Sequence, residues 1–255
     1  MQHQALTSAL PDGTAVKLVG LGGVGSIVAR HLATYLASLD TESRLVLIDG
    51  DAFEPSNATR MLFSSPGNKA QVLHAELAPR FADSRLTLAA IPSYVTPDNL
   101  EKLLHNSDIV ILAVDNHATR KLVNDYCASR LSDVCLISGG NDGVGRDASG
   151  RELRGTYGNC QVYLRRGGED ISPPLVRHHP EIQDPADHAP DEKSCTELVA
   201  SVPQLLFANL MTAAALLNAF WLHACGALHY CEVAFDIADA LMRPVLPLSG
   251  HTKPE

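Results

Sequence analysis

Aromatic residues are scarce in this chain. Phe, Trp and Tyr make up 5% of its 255 residues, so aliphatic side chains and alanine must fill the interior. At 45% hydrophobic content there is enough apolar material for a sizeable core. No Cys-x-x-Cys pair occurs among Cys127, Cys135, Cys160, Cys195, Cys225 and Cys231. The usual ligand spacing of a structural zinc site is therefore missing, and no zinc is expected. Excess positive charge is missing too. The formal net charge of −9 argues against a general nucleic-acid binder. The opening MQHQALTSALPDGTAVK has no basic stretch leading into an apolar one, so it does not read as a secretory signal. A cytoplasmic location, with the cysteines as thiols, is the expectation. One run, residues 205–222, is long and apolar enough to span a bilayer. Asn209, Thr212 and Asn218 interrupt it, so a buried or interface helix is preferred over a membrane span.

What is present is concentrated in residues 15–60. An apolar run, Val16 to Val19, ends in the turn Gly20-Leu21-Gly22-Gly23-Val24-Gly25. A helical pattern follows, and a second apolar run, Leu45 to Ile48, ends on Asp49. Strand, glycine turn, helix, strand and acidic residue form half of a nucleotide-binding α/β fold. The glycines let the backbone approach a phosphate, the helix N-terminus offers N–H groups, and the carboxylate can accept from ribose hydroxyls. Alone, this pattern serves NAD as well as ATP. The residues beyond it separate the two. Asp51, Asn57 and Arg60 follow in the pattern D-x-D-x-x-x-x-x-N-x-x-R from Asp49, and Lys69 lies nine residues further on. A triphosphate needs that polar and cationic set; a dinucleotide does not.

Strands and helices alternate through the first 140 residues. Residues 85–91, 108–114 and 134–138 read as strands, and Lys69 opens a helix. The expectation is a doubly wound, mainly parallel α/β sheet of Rossmann type, with ligands beyond the carboxyl ends of its strands. Gly22, Asp49 and Asp115 all fall at such ends. From Gly167 to Ser194 the composition changes: Pro173, Pro174, Pro180, Pro185 and Pro190 stand among many Asp, Glu and His. That stretch, residues 167–194, reads as a mobile, exposed crossover loop, with His178, His179 and His188 solvated. A long hydrophobic helix and two strands complete a single domain over residues 1–255.

GLGGVGS at 20–26, DGDAFEPSNATR at 49–60, Lys69 and AVDNHATR at 113–120, in that order, resemble the ThiF/MoeB/HesA superfamily. This adenylating fold is shared with ubiquitin-activating enzymes. The resemblance implies an enzyme that binds ATP and Mg²⁺ and adenylates the C-terminal glycine carboxylate of a ubiquitin-like or sulfur-carrier protein. Carried over by position, Gly20, Gly22, Gly23 and Gly25 form the nucleotide turn and Asp49 holds the ribose. Asp51 belongs to the same nucleotide-binding block. Asn57, Arg60 and Lys69 grip the phosphates, and Asp115 holds Mg²⁺. Cys195, in Lys193-Ser194-Cys195-Thr196 before the late helix, resembles the cysteine to which some members pass the acyl group as a thioester.

The resemblance also implies a homodimer or heterodimer, and a conjugating protein as a further partner. Many relatives carry an N-terminal arginine that reaches the other subunit's ATP. Residues 1–29 hold none, which leaves Lys17, Arg30 or a partner to serve. Three alternatives stand beside this reading: an NAD-dependent oxidoreductase, an adenylating enzyme for a small molecule or peptide, and a non-catalytic heterodimer partner. Arg120 fits either a recurring family role or an ordinary helix surface.

Overall fold

Short runs of Val, Leu and Ile with apolar side chains on both faces make the central strands, because helices cover the sheet on both sides. The computed structural model describes residues 5–58, 61–146, 150, 152–190 and 204–247. Strand β1 (Thr14–Val19) enters the glycine turn and helix α1 (Gly25–Ala37). Strand β2 (Ser43–Ile48) follows. The two-residue strands β3 (Ala52–Phe53) and β4 (Gly67–Asn68) then pair across a loop and deliver the chain to α2 (Lys69–Leu77). Next come β5 (Leu86–Ile91), α3 (Leu100–Leu103), β6 (Ile109–Leu112), α4 (His117–Arg130) and β7 (Val134–Asn141).

The second part holds a small antiparallel pair, β8 (Val144–Arg146) and β9 (Glu152–Arg154), then the long β10 (Tyr157–Arg166) and β11 (Glu169–Asp170). Helices α5 (Pro180–Gln183) and α6 (Leu206–Ala224) precede β12 (Glu232–Asp236) and β13 (Leu241–Val245). The main sheet runs β13-β12-β10-β7-β6-β1-β2-β5, with β11 on β10. Its central strands β5, β2, β1, β6 and β7 are parallel, and β10, β12 and β13 extend it antiparallel. The expected Rossmann-type α/β fold is what forms.

Alternate residues of each strand feed two cores. Val16, Leu18, Leu45, Leu47 and Ile137 pack with α1, α2 and α6; Val46, Ile48, Val110, Leu112 and Leu136 pack with α3, α4 and α5. Helix α6 contains no Asp, Glu, Lys or Arg, and it is the one described helix long and apolar enough to cross a membrane. Its Ala213, Leu216, Ala219 and Phe220 are buried in the first core, and it rests on β7 and β10 beside α1. It is a core helix of the fold.

The segment after β11 departs from the exposed loop its composition predicts. Leu175 (2% exposed) and Ile182 (1%) are buried in the second core. Five prolines limit its regular structure, yet two well-spaced apolar residues are enough to pin it against α4.

Candidate active site

The site is built on the carboxyl edge of the parallel strands. At the end of β1 the chain turns through Gly20, whose φ of +85° favours glycine. A Cβ on Gly20 would lie 2.9 Å from the Ala113 carbonyl, and one on Gly25 would lie 1.8 Å from the Gly20 oxygen. These two positions therefore need glycine for close packing of turn, helix and β6. Gly23 is buried within the turn and Gly22 is half-buried on it. Next to Gly22 the nearest neighbour of an added Cβ is Met61 Cε at 3.8 Å, which leaves its backbone approachable. The N-cap residue of α1, Val24, makes no side-chain cap hydrogen bond. By contrast, Asn68 caps α2 and Asn116 caps α4.

Asp49, at the end of β2, is buried and holds the turn. Its Oδ2 accepts from the Leu21 N–H (2.5 Å) and its Oδ1 from the Asp51 N–H (2.7 Å). Burial raises its pKa above the ordinary carboxylate value, against the opposing pull of Lys69 and those N–H groups. Lys69 opens α2 with its side chain 8% exposed, and its ammonium pairs with Asp51 at 2.9 Å. The Asn68 side chain donates to the carbonyls of Asp49 (2.9 Å) and Asp51 (3.1 Å). Turn, strand end and α2 are thus one hydrogen-bonded unit.

Asn57 ends the short turn Pro55–Asn57, and its carbonyl accepts from the Met61 N–H at 3.1 Å. Arg30 on α1 anchors the loop that follows. Its guanidinium donates to the Ser26 carbonyl (3.0 Å), the Leu62 carbonyl and Glu76 (2.7 Å), and lies 5.7 Å from the Phe63 ring centre. Arg30 is committed to its own chain by these contacts. Lys17 lies mid-strand on β1 and its ammonium turns to Asp108 just before β6 (3.8 Å), with its side chain 10% exposed. It therefore cannot take the place of an arginine at the carboxyl edge.

Asp115 follows β6 and is exposed on the same edge. Beside it, Arg120 is buried, and its guanidinium donates to the carbonyls of Val114 (2.9 Å) and Gly139 (3.0 Å). It ties the ends of β6 and β7 together and is not a helix-surface residue. Burial lowers its pKa, opposed by Asp115, Asp187 and Glu181. Asp187 reaches this point from the segment after β11: its carboxylate accepts from the N–H groups of His117 (2.8 Å) and Ala118 (2.9 Å).

Eight residues earlier, His179 lies between two carboxylates. Its Nδ1 is 2.7 Å from Glu181, and its Nε2 is 3.1 Å from Glu232, which also accepts from Asn159 (3.0 Å). His179 is therefore held, not solvated. Burial opposes its charged form, but the hydrogen bonds to Glu232 and Glu181 prevail and raise its pKa.

Of the sequence-predicted residues, Gly20, Gly22, Gly23, Gly25, Asp49, Asp51, Asn57, Lys69 and Asp115 come to one edge of the sheet. Arg60 and Cys195 lie outside the described residues. Cys160 is fully buried on β10, with its thiol pKa pushed up by burial. That suits packing. Sequence reasoning passed over Tyr94, whose hydroxyl donates to Asp51. Gly50 was its one trace: a glycine straight after a strand-end carboxylate marks a close approach.

A model of the ThiF family matches residues 12–216. The chain is 32% identical over 128 residues to the adenylyltransferase and sulfurtransferase MOCS3 of Dictyostelium discoideum, covering 49% of this chain and 28% of that protein. It is 29% identical over 147 residues to the SAMP-activating enzyme E1 of Haloferax volcanii, covering 54% and 52%. Among solved structures it resembles E. coli MccB with ATP, with a TM-score of 0.62 at 18% identity, covering 92% of this chain and 64% of that one. The chain thus spans less than two thirds of each of these proteins, and the MccB likeness shows the fold alone.

Proposed function

The chain belongs to the ThiF family, and from that premise we propose that it adenylates the C-terminal glycine carboxylate of a ubiquitin-like or sulfur-carrier protein with Mg-ATP. One observation carries the reading. The approachable Gly22 backbone, the start of α1 and the buried Lys69 ammonium stand on one edge with Asp49 between them. That set offers N–H groups and an ammonium that suit phosphates, and a carboxylate that suits a ribose.

In the proposed reaction, a carrier carboxylate oxygen bonds to the α-phosphorus of ATP. The bond from that phosphorus to the bridging oxygen breaks, and pyrophosphate leaves with the electron pair. The carboxylate is already ionised near neutral pH, so no general base is required. Lys69, Asn57 and Arg60 hold and neutralise the phosphates, which supplies most of what in-line displacement needs from a protein. Asp115 would hold Mg²⁺. One carboxylate is an adequate protein share for an ion that the phosphates themselves chelate. Bound there, the ion would neutralise charge on the leaving pyrophosphate.

Cys195 would then take the acyl group as a thioester with loss of AMP, and a conjugating protein would receive it. We assign the reaction to a single adenylation domain over residues 1–255, working in the cytoplasm as a homodimer or heterodimer. The free thiols of the described cysteines fit a reducing compartment. The uncharged outward face of α6, with Phe207 72% exposed, supports a subunit contact.

Pyrophosphate–ATP exchange tests the reading. Exchange should require Mg²⁺ and a small β-grasp carrier ending in glycine, and should vanish when that tail is removed. Exchange supported by a free peptide or small molecule instead would replace the carrier, and tight NAD binding without ATP binding would replace the reaction. A DTT-sensitive carrier adduct should disappear in Cys195→Ala. An adduct that survives the change removes Cys195 from the role.

A further inference from the structure

Lys69 occupies a place that electrostatics disfavours. Its ammonium is buried, and it stands on the first residue of α2, beside the positive end of the helix. Asp51 compensates it at 2.9 Å, through Oδ2. The other oxygen of that carboxylate, Oδ1, accepts from the Tyr94 hydroxyl. The Asp51 backbone is fixed as well: its N–H donates to Asp49 (2.7 Å), and its carbonyl accepts from the Lys69 N–H (2.9 Å).

Tyr94 comes from a different strand end, in the loop after β5. Its ring reaches Asp51 by lying flat over Gly50. A Cβ at position 50 would be 2.6 Å from Tyr94 Cγ and 2.7 Å from each Cδ, so the approach exists because residue 50 is glycine. Asp51 is half-exposed on an edge that is to receive a polyphosphate. A carboxylate there repels the ligand unless its charge is shared and its direction set. Among the described residues, Lys69 on one oxygen and the Tyr94 hydroxyl on the other do both.

We propose that Tyr94 is a positioning residue for the adenylation reaction. Through Asp51 it aims the Lys69 ammonium toward the triphosphate. The assignment rests on the reading that Lys69 meets those phosphates. It makes Asp51 a holder of Lys69, one step removed from the nucleotide.

Equilibrium binding of Mg-ATP and of AMP tests it. Tyr94→Phe keeps the ring over Gly50 and removes only the hydroxyl. The Kd for Mg-ATP should rise about tenfold, the size expected for a hydrogen bond to a charged group, while the Kd for AMP stays within about twofold. In a Lys69→Met background the same change should have no effect on Mg-ATP. An unchanged Mg-ATP affinity in Tyr94→Phe, an equal loss for AMP, or a loss that persists beside Lys69→Met each overturns the assignment alone. Failure of the unaltered chain to bind Mg-ATP overturns the adenylation reading and the assignment together.

Discussion

The two sides of the carboxyl edge are held together by different means. Around β1 and β2, a buried carboxylate, Asp49, organises backbone N–H groups of the turn and of its own strand end. The residues involved sit within one run of motif, from Gly20 to Lys69. Around β6, β10 and β12, the joints are side-chain contacts made when the chain returns much later. Asp187 caps α4 from a distance of 70 residues, and His179 meets Glu232 across 53 residues. The first side is a prebuilt cradle. The second is a strap fastened at two charged points, Asp187 and His179, and crossing α4. The difference can be broken experimentally at each joint.

The largest effect should come from the cradle. Gly25→Ala places a Cβ 1.8 Å from the Gly20 oxygen. It should cost about 3 kcal/mol, seen as a lower urea midpoint, and abolish Mg-ATP binding. A change of similar stability without loss of binding would mean that the turn is not the phosphate seat. Next in size is Lys69→Met. It should weaken Mg-ATP about a hundredfold in calorimetric titration, as expected for losing a buried charged partner. The strap should respond differently. Asp187→Ala removes a carboxylate from the start of α4 and should cost about 1 kcal/mol of stability. Its Mg-ATP Kd should stay within about twofold of the parent, because cradle and strap share no hydrogen bond among the described residues. A large change in that Kd would erase the distinction between the two sides.

The smallest effect is a pH dependence. His179 titrates above its ordinary 6.5, so its contribution is complete below pH 6.5 and is lost as pH rises through the raised value. Glu232 is lowered from 4.5: burial works against its charge, and His179 and Asn159 overcome that. Its contribution is present above pH 4.5 and fades as pH falls through the lowered value. The strap is therefore tightest between those limits. His179→Gln should flatten the fall in stability above pH 6.5 by about 1 kcal/mol in urea titrations across pH. An unaltered slope would place the titrating group elsewhere.

Most of the cradle could be read from the residue order, because its chemistry is local. Gly20 and Gly25 are demanded by backbone contacts that any strand–turn–helix of this kind makes, and Asp49 follows directly from the end of a strand. Tyr94 could not be read that way. It meets Asp51 only because β5 lies beside β2, and sheet order is a tertiary fact. Lys17 and Arg30 were credible cations in a linear reading. That Lys17 turns to Asp108 and Arg30 to Glu76 decided their roles. The strap was the least legible. Its prolines and charges pointed to solvent, yet Leu175 and Ile182 are buried and His179 is paired. Two apolar anchors and two carboxylate contacts outweigh a polar composition. Their partners, Glu232 and the start of α4, lie too far away in sequence to be matched by pattern.

The central claim is that the edge shared by β1, β2 and β6 is a seat for Mg-ATP. Calorimetric titration of the chain with Mg-ATP and with NAD, repeated in Lys69→Met, tests it most directly. The account predicts saturable Mg-ATP binding that falls about a hundredfold in the variant, with no comparable NAD binding. Tight NAD binding that is indifferent to Lys69, with no Mg-ATP binding, would contradict it.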